Sequence, residues 1–500
     1  MTRNSASERS QLHDRQESGG LAGAAMPRSH RVAGAVIGSA VGDALGAPFE
    51  FGPAGTYGRR FPTDARGVRT EMCGGGSLGW AAGEFTDNTQ MALLLASSLV
   101  ECRGLDEADV FDRFRNWVAA GPPDVGSQTR SVLTSGRPFD VAAAEHFART
   151  GHAAGNGSLM RTTPAAVWFA PGGREATMEA ARRISALTHG DPAAGEGCAI
   201  FHELVRVALA GGDPLAALPD ALAGVAAEHR PKWESVLAPT WQPEAATESN
   251  GAVWPTLGSA VWALRQAESF AEGMRLVLDL GGDTDTVAAV TGGLLGAAYG
   301  IARIPMRWTS VLNGVVPRHA DQSWDLMGFQ HVAQLMGGDF RAWPFEIDPD
   351  GRGIEPAEVF DGIWASDVFG ARDSDRDFAV ISMCRTGGRF GHDIQRFAYL
   401  IDDDTNSELV TVLEDILDDM AALRADGKRV LVHCYAGQSR TGLVLRAWLM
   451  RTEGVGVAAA TERVRALWPH LNLWNDSFGT ALTALDNSAG PAASLDLRPG

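Results

Sequence analysis

Apolar positions recur at intervals of three and four along most of the chain. Between Arg31 and Gly300, long Ala/Leu/Val segments such as TQMALLLASSLVECR and GCAIFHELVRVALAGG are separated by breaks that contain glycine. This period puts the apolar side chains on one face of an α-helix, and the alternation typical of strands is scarce. The pattern therefore predicts an all-α domain over residues 30–315.

A different pattern follows in the last third of the chain. Short β-rich runs, DFAVISMC, RFAYLID and KRVLVHC, alternate with the helical segments SELVTVLEDILDDMAALRADG and TGLVLRAWLMRTEG. Strands that alternate with helices predict an α/β domain, which we place at residues 351–486. The stretch between the domains has no sustained period, so residues 316–350 are interpreted as a connector. Residues 1–29 and 487–500 are polar or small and are predicted to be a disordered leader and tail.

Length and composition agree with a folded protein of more than one domain. The chain has 500 residues, more than one hydrophobic core normally serves, and 45% of them are hydrophobic. The formal net charge of -18 argues against membrane association and against bulk binding of nucleic acid. The five cysteines are scattered without a CxxC pair. We therefore expect a reducing cytoplasm and no structural zinc site.

One cysteine stands where a strand gives way to a helix, in VLVHCYAGQSRTGLVLR. The loop after Cys434 would direct backbone N–H groups and the positive end of the helix dipole into one concavity, which suits an anion. The same field favours a thiolate at Cys434, and the planar guanidinium of Arg440 can bind two phosphate oxygens. The alternative is a buried structural cysteine beside a solvated arginine. The coincidence of strand, loop, arginine and helix favours the functional interpretation.

This stretch resembles the HCxxGxxR[ST] signature of the protein tyrosine and dual-specificity phosphatases. The resemblance implies that Cys434 attacks phosphorus, that Arg440 binds the phosphate, that His433 orients the loop and that Thr441 helps the thiolate leave. Gly437 and Ser439 would line the phosphate. The expected substrate is a phosphorylated protein or a small phosphate ester, and no cofactor is expected in this domain.

The same family takes its general acid from an aspartate about thirty residues before the cysteine. YLIDDDTNSEL offers Asp402, Asp403 and Asp404 in that window. We favour Asp403, and the choice among the three stays open.

Two segments of the helical domain, GEFTDNTQM and LGGDTDTVAAV, carry oxygen ligands about two hundred residues apart. The candidate metal ligands are Thr86, Asp87, Asn88, Asp283, Asp285 and Thr286. Each segment begins a helix after glycine, so capping of free N–H groups explains either one alone. Together they offer hard oxygen ligands with no competing His/Cys cluster. The pair therefore predicts one or two Mg²⁺ or Mn²⁺ ions.

With four further stretches, GAVIGSAVGDALGAPFEF, GNGSLMRTTP, THGDP and GGDTDTVAAVTGGLLGAAYG, the chain resembles the ADP-ribosylglycohydrolase family. The resemblance implies cleavage of the glycosidic bond between an ADP-ribosyl group and an acceptor on a protein or small molecule, with two metal ions at the six candidate ligands. It places Glu50 at the reaction centre. It also assigns the ADP-ribose contacts to Asn156, Gly157, Ser158 and Met160. His189 is either a further contact or a structural histidine.

One residue departs from the family pattern. The family usually has Asp-Asp after the threonine, whereas the second residue here is Asn88. A neutral amide is a weaker ligand for a hard cation than a carboxylate, so we expect lower affinity at one metal site. The main hypothesis is a bifunctional hydrolase. The alternative is that the helical domain binds ADP-ribose without cleaving it and is attached to an active phosphatase.

Overall fold

The computed structural model describes residues 26–63, 70–152, 154–317, 323–337, 347–400, 406 and 408–488. Its first part is built from helices, with one pair of antiparallel strands near the end. These elements are α1 (Arg28–Gly46), α2 (Thr56–Arg60), α3 (Asp87–Cys102), α4 (Glu107–Ala119), α5 (Ser127–Leu133), α6 (Ala142–Thr150), α7 (Thr163–Phe169), α8 (Gly173–Ala186), α9 (Pro192–Leu209), α10 (Leu218–Ala223), α11 (Arg230–Val236), α12 (Val253–Gln266), α13 (Phe270–Leu278), α14 (Thr284–Tyr299), α15 (Met306–Thr309), β1 (Asn313–Val315), β2 (Ser323–Asp325) and α16 (Leu326–Leu335).

Helices α1 and α14 lie side by side through the centre of the helical domain. Small residues permit the close approach: a methyl group added at Gly34 would lie 2.2 Å from the carbonyl oxygen of Gly296. One added at Gly42 would lie 2.0 Å from the carbonyl oxygen of Ala288. Because α14 starts with Thr284 and α1 ends with Gly46, this pairing brings the candidate ligands of α14 beside the residues that follow α1.

Helix α1 is apolar enough to merit a separate remark. The segment Arg28–Phe49 has the length and hydropathy of a membrane span, which the sequence analysis did not single out. However, 94% of its apolar window is buried inside the protein. A central helix of a folded core has the same composition, and its contact with α14 accounts for that composition here.

The second part is a layered α/β domain around a five-stranded sheet. Its elements are β3 (Ala357–Phe360), β4 (Ile363–Ser366), α17 (Val368–Arg372), β5 (Ala379–Ser382), β6 (Ile394–Phe397), α18 (Leu409–Ala425), β7 (Val430–His433), α19 (Ser439–Glu453), α20 (Val457–Leu467) and α21 (Asp476–Ser488). The strand order is β3-β4-β7-β5-β6, with β3 antiparallel to β4 and the other pairs parallel. The central strand β7 therefore ends in the middle of the carboxyl edge of the sheet, where open α/β sheets place their ligands.

The two domains share an interface in which each contributes to the core of the other. Phe397 of β6 belongs to the core of the helical domain, and Met306 of α15 belongs to the core of the α/β domain. The helical domain supplies a hydrogen-bond acceptor to the outer edge of β6. The Phe397 N–H donates to Oγ of Ser310 over 2.8 Å. The guanidinium of Arg303 also pairs with Glu408 at 2.7 Å.

The predicted fold class, a helical domain followed by an α/β domain, is confirmed. Part of the segment interpreted as a connector forms secondary structure on the helical domain, since β2 pairs with β1 and α16 contacts α1. The exact domain boundaries stay predictions. The predicted leader, the predicted tail and the segment around residue 340 lie largely outside the described residues.

Candidate active sites

The starts of α3 and α14 bring the candidate metal ligands together. Asp87 is the first residue of α3, and Asp285 lies in the first turn of α14. Thr86 caps α3 by accepting a weak hydrogen bond from the Asn88 N–H at 3.4 Å, whereas Asp283 makes no side-chain cap bond for α14. Of these residues, Thr86 makes a capping hydrogen bond and Asp283 does not.

The carboxylates form two groups that share one residue. In the first, oxygen atoms of Glu50, Asp283 and Asp285 lie within 4.8 Å of one another. In the second, oxygen atoms of Asp87, Asp124 and Asp285 do the same. The sequence analysis missed Asp124, because its loop, GPPDVG, carries no repeated motif or helix start that would single it out. The structure therefore offers two adjoining oxygen-only sites with Asp285 between them.

The contacts of Asp285 fit a cation. Its Oδ2 accepts from Asn88 Nδ2 at 3.1 Å and lies 3.2 Å from Thr86 Oγ1, whose proton has a shorter contact with Asp43. Its Oδ1 is buried and has no hydrogen-bond partner among the described residues. An unsatisfied buried carboxylate oxygen costs free energy, and a divalent ion shared with Asp87 or Asp283 would remove that cost. The donor set, which is all oxygen, suits Mg²⁺ or Mn²⁺.

Asn88 contacts the carboxylate groups through hydrogen bonds of its side-chain amide. Its Nδ2 faces Asp285 and, at 3.3 Å, Oδ1 of Asp43, while its Oδ1 accepts from the Thr286 hydroxyl at 3.3 Å. Asn88 and Thr286 are thus close to the carboxylates, and the amide carries a donor where a second aspartate would carry only acceptors.

Asp43, inside α1, supports this arrangement. Its two oxygens accept from the backbone N–H and hydroxyl groups of both Thr86 and Thr89 at 2.5–3.0 Å. Burial raises the pKa of Asp43 to about 6, and these hydrogen bonds oppose the increase. Asp43 occurs in the stretch GAVIGSAVGDALGAPFEF. The hydrophobic pattern of α1 did not distinguish it from the core residues around it.

The carboxyl groups of the cluster are buried close together, and both burial and their like charges raise their pKa values. Burial, and next the charge of Asp124, raises the pKa of Glu50 to about 8. The pKa of Asp87 and that of Asp285 are raised well above the usual value, again chiefly by burial and then by neighbouring carboxylates. Such a cluster is unfavourable without a counter-charge, which a bound cation would supply.

The residue after Glu50 is strained. Phe51 has φ +58°, a conformation rare for an aromatic residue, and its side chain is 75% exposed. Its N–H donates to the carbonyl of Gly282 at 2.6 Å, which ties this turn to the segment before α14. Backbone strain of this kind concentrates at functional sites, so Phe51, which was not named from the sequence, is a further candidate beside Glu50.

The loop predicted to contact ADP-ribose, which contains Asn156, is hydrogen-bonded to the carboxylate cluster. Asn156 Nδ2 donates to Oδ2 of Asp283 at 2.8 Å, and its backbone N–H donates to the carbonyl of Gly251. The Ser158 hydroxyl is fully buried and accepts from Ser185 Oγ at 2.8 Å. Met160 is also buried. Phosphate contacts at this loop would therefore fall to its backbone N–H groups and to Gly157, not to the Ser158 hydroxyl.

In the α/β domain, Cys434 directly follows β7 and is 3% exposed. The loop then turns at Gly437, which has φ +66°, and α19 begins at Ser439. A methyl group at Gly437 would lie 2.8 Å from the carbonyl oxygen of Ser366, so glycine is required both for the turn and for the close approach. The turn is also fixed by Trp468, whose Nε1 donates to the carbonyl of Gly437 at 2.8 Å.

Three side chains of the signature, Thr441, Arg440 and His433, lie next to Cys434 in the loop and its flanking elements. The Thr441 hydroxyl donates to Sγ of Cys434 at 3.3 Å. Arg440 is mostly buried and donates to the carbonyl of Met383. His433 is buried with its Nε2 at 2.8 Å from Ser382 Oγ and its Nδ1 at 3.4 Å from the carbonyl of Cys434. Burial lowers the pKa of His433 to about 3, so the imidazole is neutral. The general-acid candidates Asp402, Asp403 and Asp404 lie outside the described residues.

Fold and sites together define a protein with two hydrolase domains. A family model described as ADP-ribosylglycohydrolase matches residues 25–336, and one described as dual specificity phosphatase, catalytic domain, matches residues 378–487. The chain belongs to the ADP-ribosylglycohydrolase family, and its second domain belongs to the dual-specificity phosphatases.

Curated relatives match each domain. The chain is 31% identical over 287 residues to ADP-ribosylarginine hydrolase Tri1 of Pseudomonas putida (strain GB-1), covering 56% of this chain and 73% of that protein. It is 30% identical over 298 residues to ADP-ribosyl-[dinitrogen reductase] glycohydrolase of Rhodospirillum rubrum, covering 59% and 95%. The phosphatase domain is 33% identical over 76 residues to dual specificity protein phosphatase 12 of Homo sapiens, covering 15% of this chain and 22% of that protein.

Proposed function

We propose that the chain is a bifunctional hydrolase. The helical domain would cleave the glycosidic bond between an ADP-ribosyl group and its acceptor with the help of Mg²⁺ or Mn²⁺. The α/β domain would hydrolyse phosphate monoesters through a cysteinyl-phosphate. The observation that carries the first activity is the pair of carboxylate groups that share Asp285, whose Oδ1 has no partner among the described residues.

In the site of the helical domain, some residues would bind the cation and the substrate, and one would exchange a proton with the substrate. When bound, a divalent cation supplies positive charge and a fixed point for oxygen ligands such as ribose hydroxyls. Asp87, Asp124, Asp283 and Asp285 would hold it, and the Asn156 amide connects the ADP-ribose loop to Asp283. Glu50 lies beside the carboxylates that would hold the ion, and burial raises its pKa, so it is the candidate for the group that exchanges a proton with the reacting bond.

In the phosphatase domain, the Cys434 thiolate would attack phosphorus and break the bond to the ester oxygen. The leaving oxygen would take a proton from an aspartic acid, for which Asp403 is our first choice. Water would then attack the cysteinyl-phosphate, break the S–P bond and release phosphate. The Thr441 hydroxyl stabilises the thiolate that leaves in this second step, because it already donates to Sγ.

The names of two relatives, both ADP-ribosylarginine hydrolases, make arginine the first acceptor to test. The experiment is mass spectrometry of the products from ADP-ribosylated Arg and Ser peptides with Mg²⁺ or Mn²⁺, using Glu50→Gln as the matched variant. Release of ADP-ribose by the wild type and its loss in the variant support hydrolysis. Absence of release with every peptide contradicts it.

Asn88 favours a second candidate function. Because its amide donates to Asp285 and replaces a charged ligand, one metal site is weakened, and the helical domain would then bind ADP-ribose without cleaving it. Tight binding of free ADP-ribose with no product from any peptide would select this binding module. Rapid turnover would exclude it.

A further inference from the structure

A chain of hydrogen bonds leads from a buried arginine to His189. Arg161 is fully buried, and its guanidinium lies over the Phe114 ring, 4.6 Å from the centroid. Its Nη2 donates to Oγ1 of Thr188 at 2.6 Å, and that oxygen lies 2.8 Å from Nδ1 of His189. Because a guanidinium has donors only, Thr188 must accept from Arg161, and its own proton is directed elsewhere.

The position of the Thr188 proton determines the tautomer of His189. The hydroxyl is fully buried, and Nδ1 is its sole hydrogen-bond acceptor among the described residues. If Nδ1 carried the proton and donated to Thr188, the hydroxyl proton would be buried without an acceptor, which is unfavourable. The favourable arrangement has Thr188 donating to an unprotonated Nδ1.

The charge of the imidazole agrees with this arrangement. Burial, and next the charge of Arg161, lowers the pKa of His189 well below its usual value. The ring is therefore neutral and carries one proton. With Nδ1 used as an acceptor, that proton is on Nε2.

Nε2 of His189 faces the loop predicted to contact ADP-ribose. A methyl group at Gly157 would lie 3.3 Å from this nitrogen, and one at Gly155 would lie 3.5 Å from it. Within the part of the chain that the structure describes, no acceptor is hydrogen-bonded to Nε2. The series of hydrogen bonds from Arg161 through Thr188 to His189 therefore ends in an N–H donor, Nε2, which is held beside this loop.

We propose that Thr188 is a positioning residue which, held by Arg161, fixes His189 with its proton on Nε2, as the donor to an oxygen of the bound ADP-ribosyl group. This inference deepens the proposed function of the helical domain and rests on it. It assigns positioning roles to Thr188 and Arg161, which lie within THGDP and GNGSLMRTTP and which the sequence analysis gave no role.

The test combines spectroscopy with binding on the full-length protein. Protein labelled with ¹⁵N-histidine reports the protonation of each imidazole nitrogen, and His189→Gln identifies the His189 signals. Titration calorimetry with free ADP-ribose and Mg²⁺ measures affinity in parallel. The variants are Thr188→Val, which removes the hydroxyl at similar volume, and Thr188→Ser, which keeps it. Thr177→Val is the control, since this buried hydroxyl donates to a backbone carbonyl elsewhere in the domain.

In the wild type and in Thr188→Ser we expect a protonated Nε2 and an unprotonated Nδ1. Thr188→Val should change the His189 signals and weaken ADP-ribose binding about tenfold, as the loss of one well-placed hydrogen bond does. Thr177→Val should do neither. A wild-type His189 protonated on Nδ1, or unchanged affinity in Thr188→Val, overturns the inference alone. Failure of the wild type to bind ADP-ribose overturns the proposed function of the domain and this inference with it.

Discussion

The hydroxyl of Thr441 donates a hydrogen bond to the sulfur of Cys434 across 3.3 Å. Thr441 lies in the first turn of α19 and Cys434 at the end of β7, so the bond joins the two elements that form the phosphate loop. A hydrogen-bond donor stabilises negative charge on sulfur, so Thr441 would act when the sulfur is the leaving group.

We therefore expect Cys434→Ser to abolish hydrolysis of an aryl phosphate in a folded protein. Thr441→Val should lower steady-state turnover roughly tenfold through the second step, because one hydrogen bond to a charged atom is lost. Rapid-quench kinetics should then show a burst of product followed by slow turnover. Thr452→Val is the control, since that hydroxyl donates to a helix carbonyl on the same helix. Appreciable activity in Cys434→Ser would contradict the mechanism.

A second prediction concerns the general acid. Asp402→Asn, Asp403→Asn and Asp404→Asn, made singly, should separate the acid from its neighbours. The general acid matters most for a leaving group of high pKa, so only one variant, Asp403→Asn by our choice, should lose most of its rate with alkyl phosphates. With an activated aryl phosphate the same variant should lose much less. Three equal and small effects would contradict the assignment to this segment.

The helices and strands that could be predicted from the sequence are those with an uninterrupted hydrophobic pattern. The predicted runs DFAVISMC and KRVLVHC contain β5 and β7, whereas RFAYLID overlaps β6 only at Arg396 and Phe397. Helix α18 lies within its predicted segment, and α19 begins at Ser439, two residues before its predicted segment. Strands β3 and β4 were missed. They are four residues long, as β5 and β7 are, but AEVF and IWAS flank the turn at Asp361 and Gly362 and do not form one continuous apolar run. The motif residues could be named because their spacing is local. Asp124 could not, since it reaches the cluster through tertiary packing that no local pattern encodes.

A third prediction follows from the interface between the domains. Ser310→Ala removes the acceptor of the Phe397 N–H at the buried edge of β6, and an unsatisfied buried donor costs about 1–3 kcal/mol. Since Phe397 and Met306 each belong to the core of the other domain, both domains should unfold in one calorimetric transition at a lower temperature. Ser97→Ala, which loses only a bond to its own helix, should have a small effect. Two separate transitions in the wild type would contradict this coupling.

A fourth prediction uses the neutral state of His433. Its pKa is about 3 in the folded protein and 6.5 as the ordinary value, so below pH 6.5 the unfolded chain binds a proton that the folded protein does not. The contribution to stability is complete above pH 6.5 and is lost as pH falls toward 3. In His433→Gln the free energy of unfolding should fall less steeply over this window, by up to about 1.4 kcal/mol per pH unit. Equal slopes, from denaturant melts between pH 4 and 7, would mean that the folded protein protonates His433 as readily as the unfolded chain does.

The last prediction concerns the cation site around Asp285. If this carboxylate is shared by two metal-binding groups, Asp285→Asn should abolish most Mg²⁺ or Mn²⁺ binding and glycohydrolase activity together, because ligand and charge are lost at once. Asn88→Asp should act in the opposite direction with metal present. It replaces a donor 3.1 Å from Asp285 by a charged ligand, so metal affinity should rise roughly tenfold, while the metal-free protein becomes less stable through repulsion.

Metal titration calorimetry and metal-free thermal melts of these variants separate this explanation from helix capping. Asp106→Asn is the matched control, because Asp106 caps α4 by accepting from the Asp109 N–H and belongs to neither carboxylate group. Asparagine caps nearly as well as aspartate, so the control should leave both measurements unchanged. If Asp285→Asn behaves like Asp106→Asn, Asp285 is only a structural residue at a helix start. If Asn88→Asp leaves metal affinity unchanged, position 88 is no ligand, and the family's second aspartate has been replaced by a hydrogen-bonding residue.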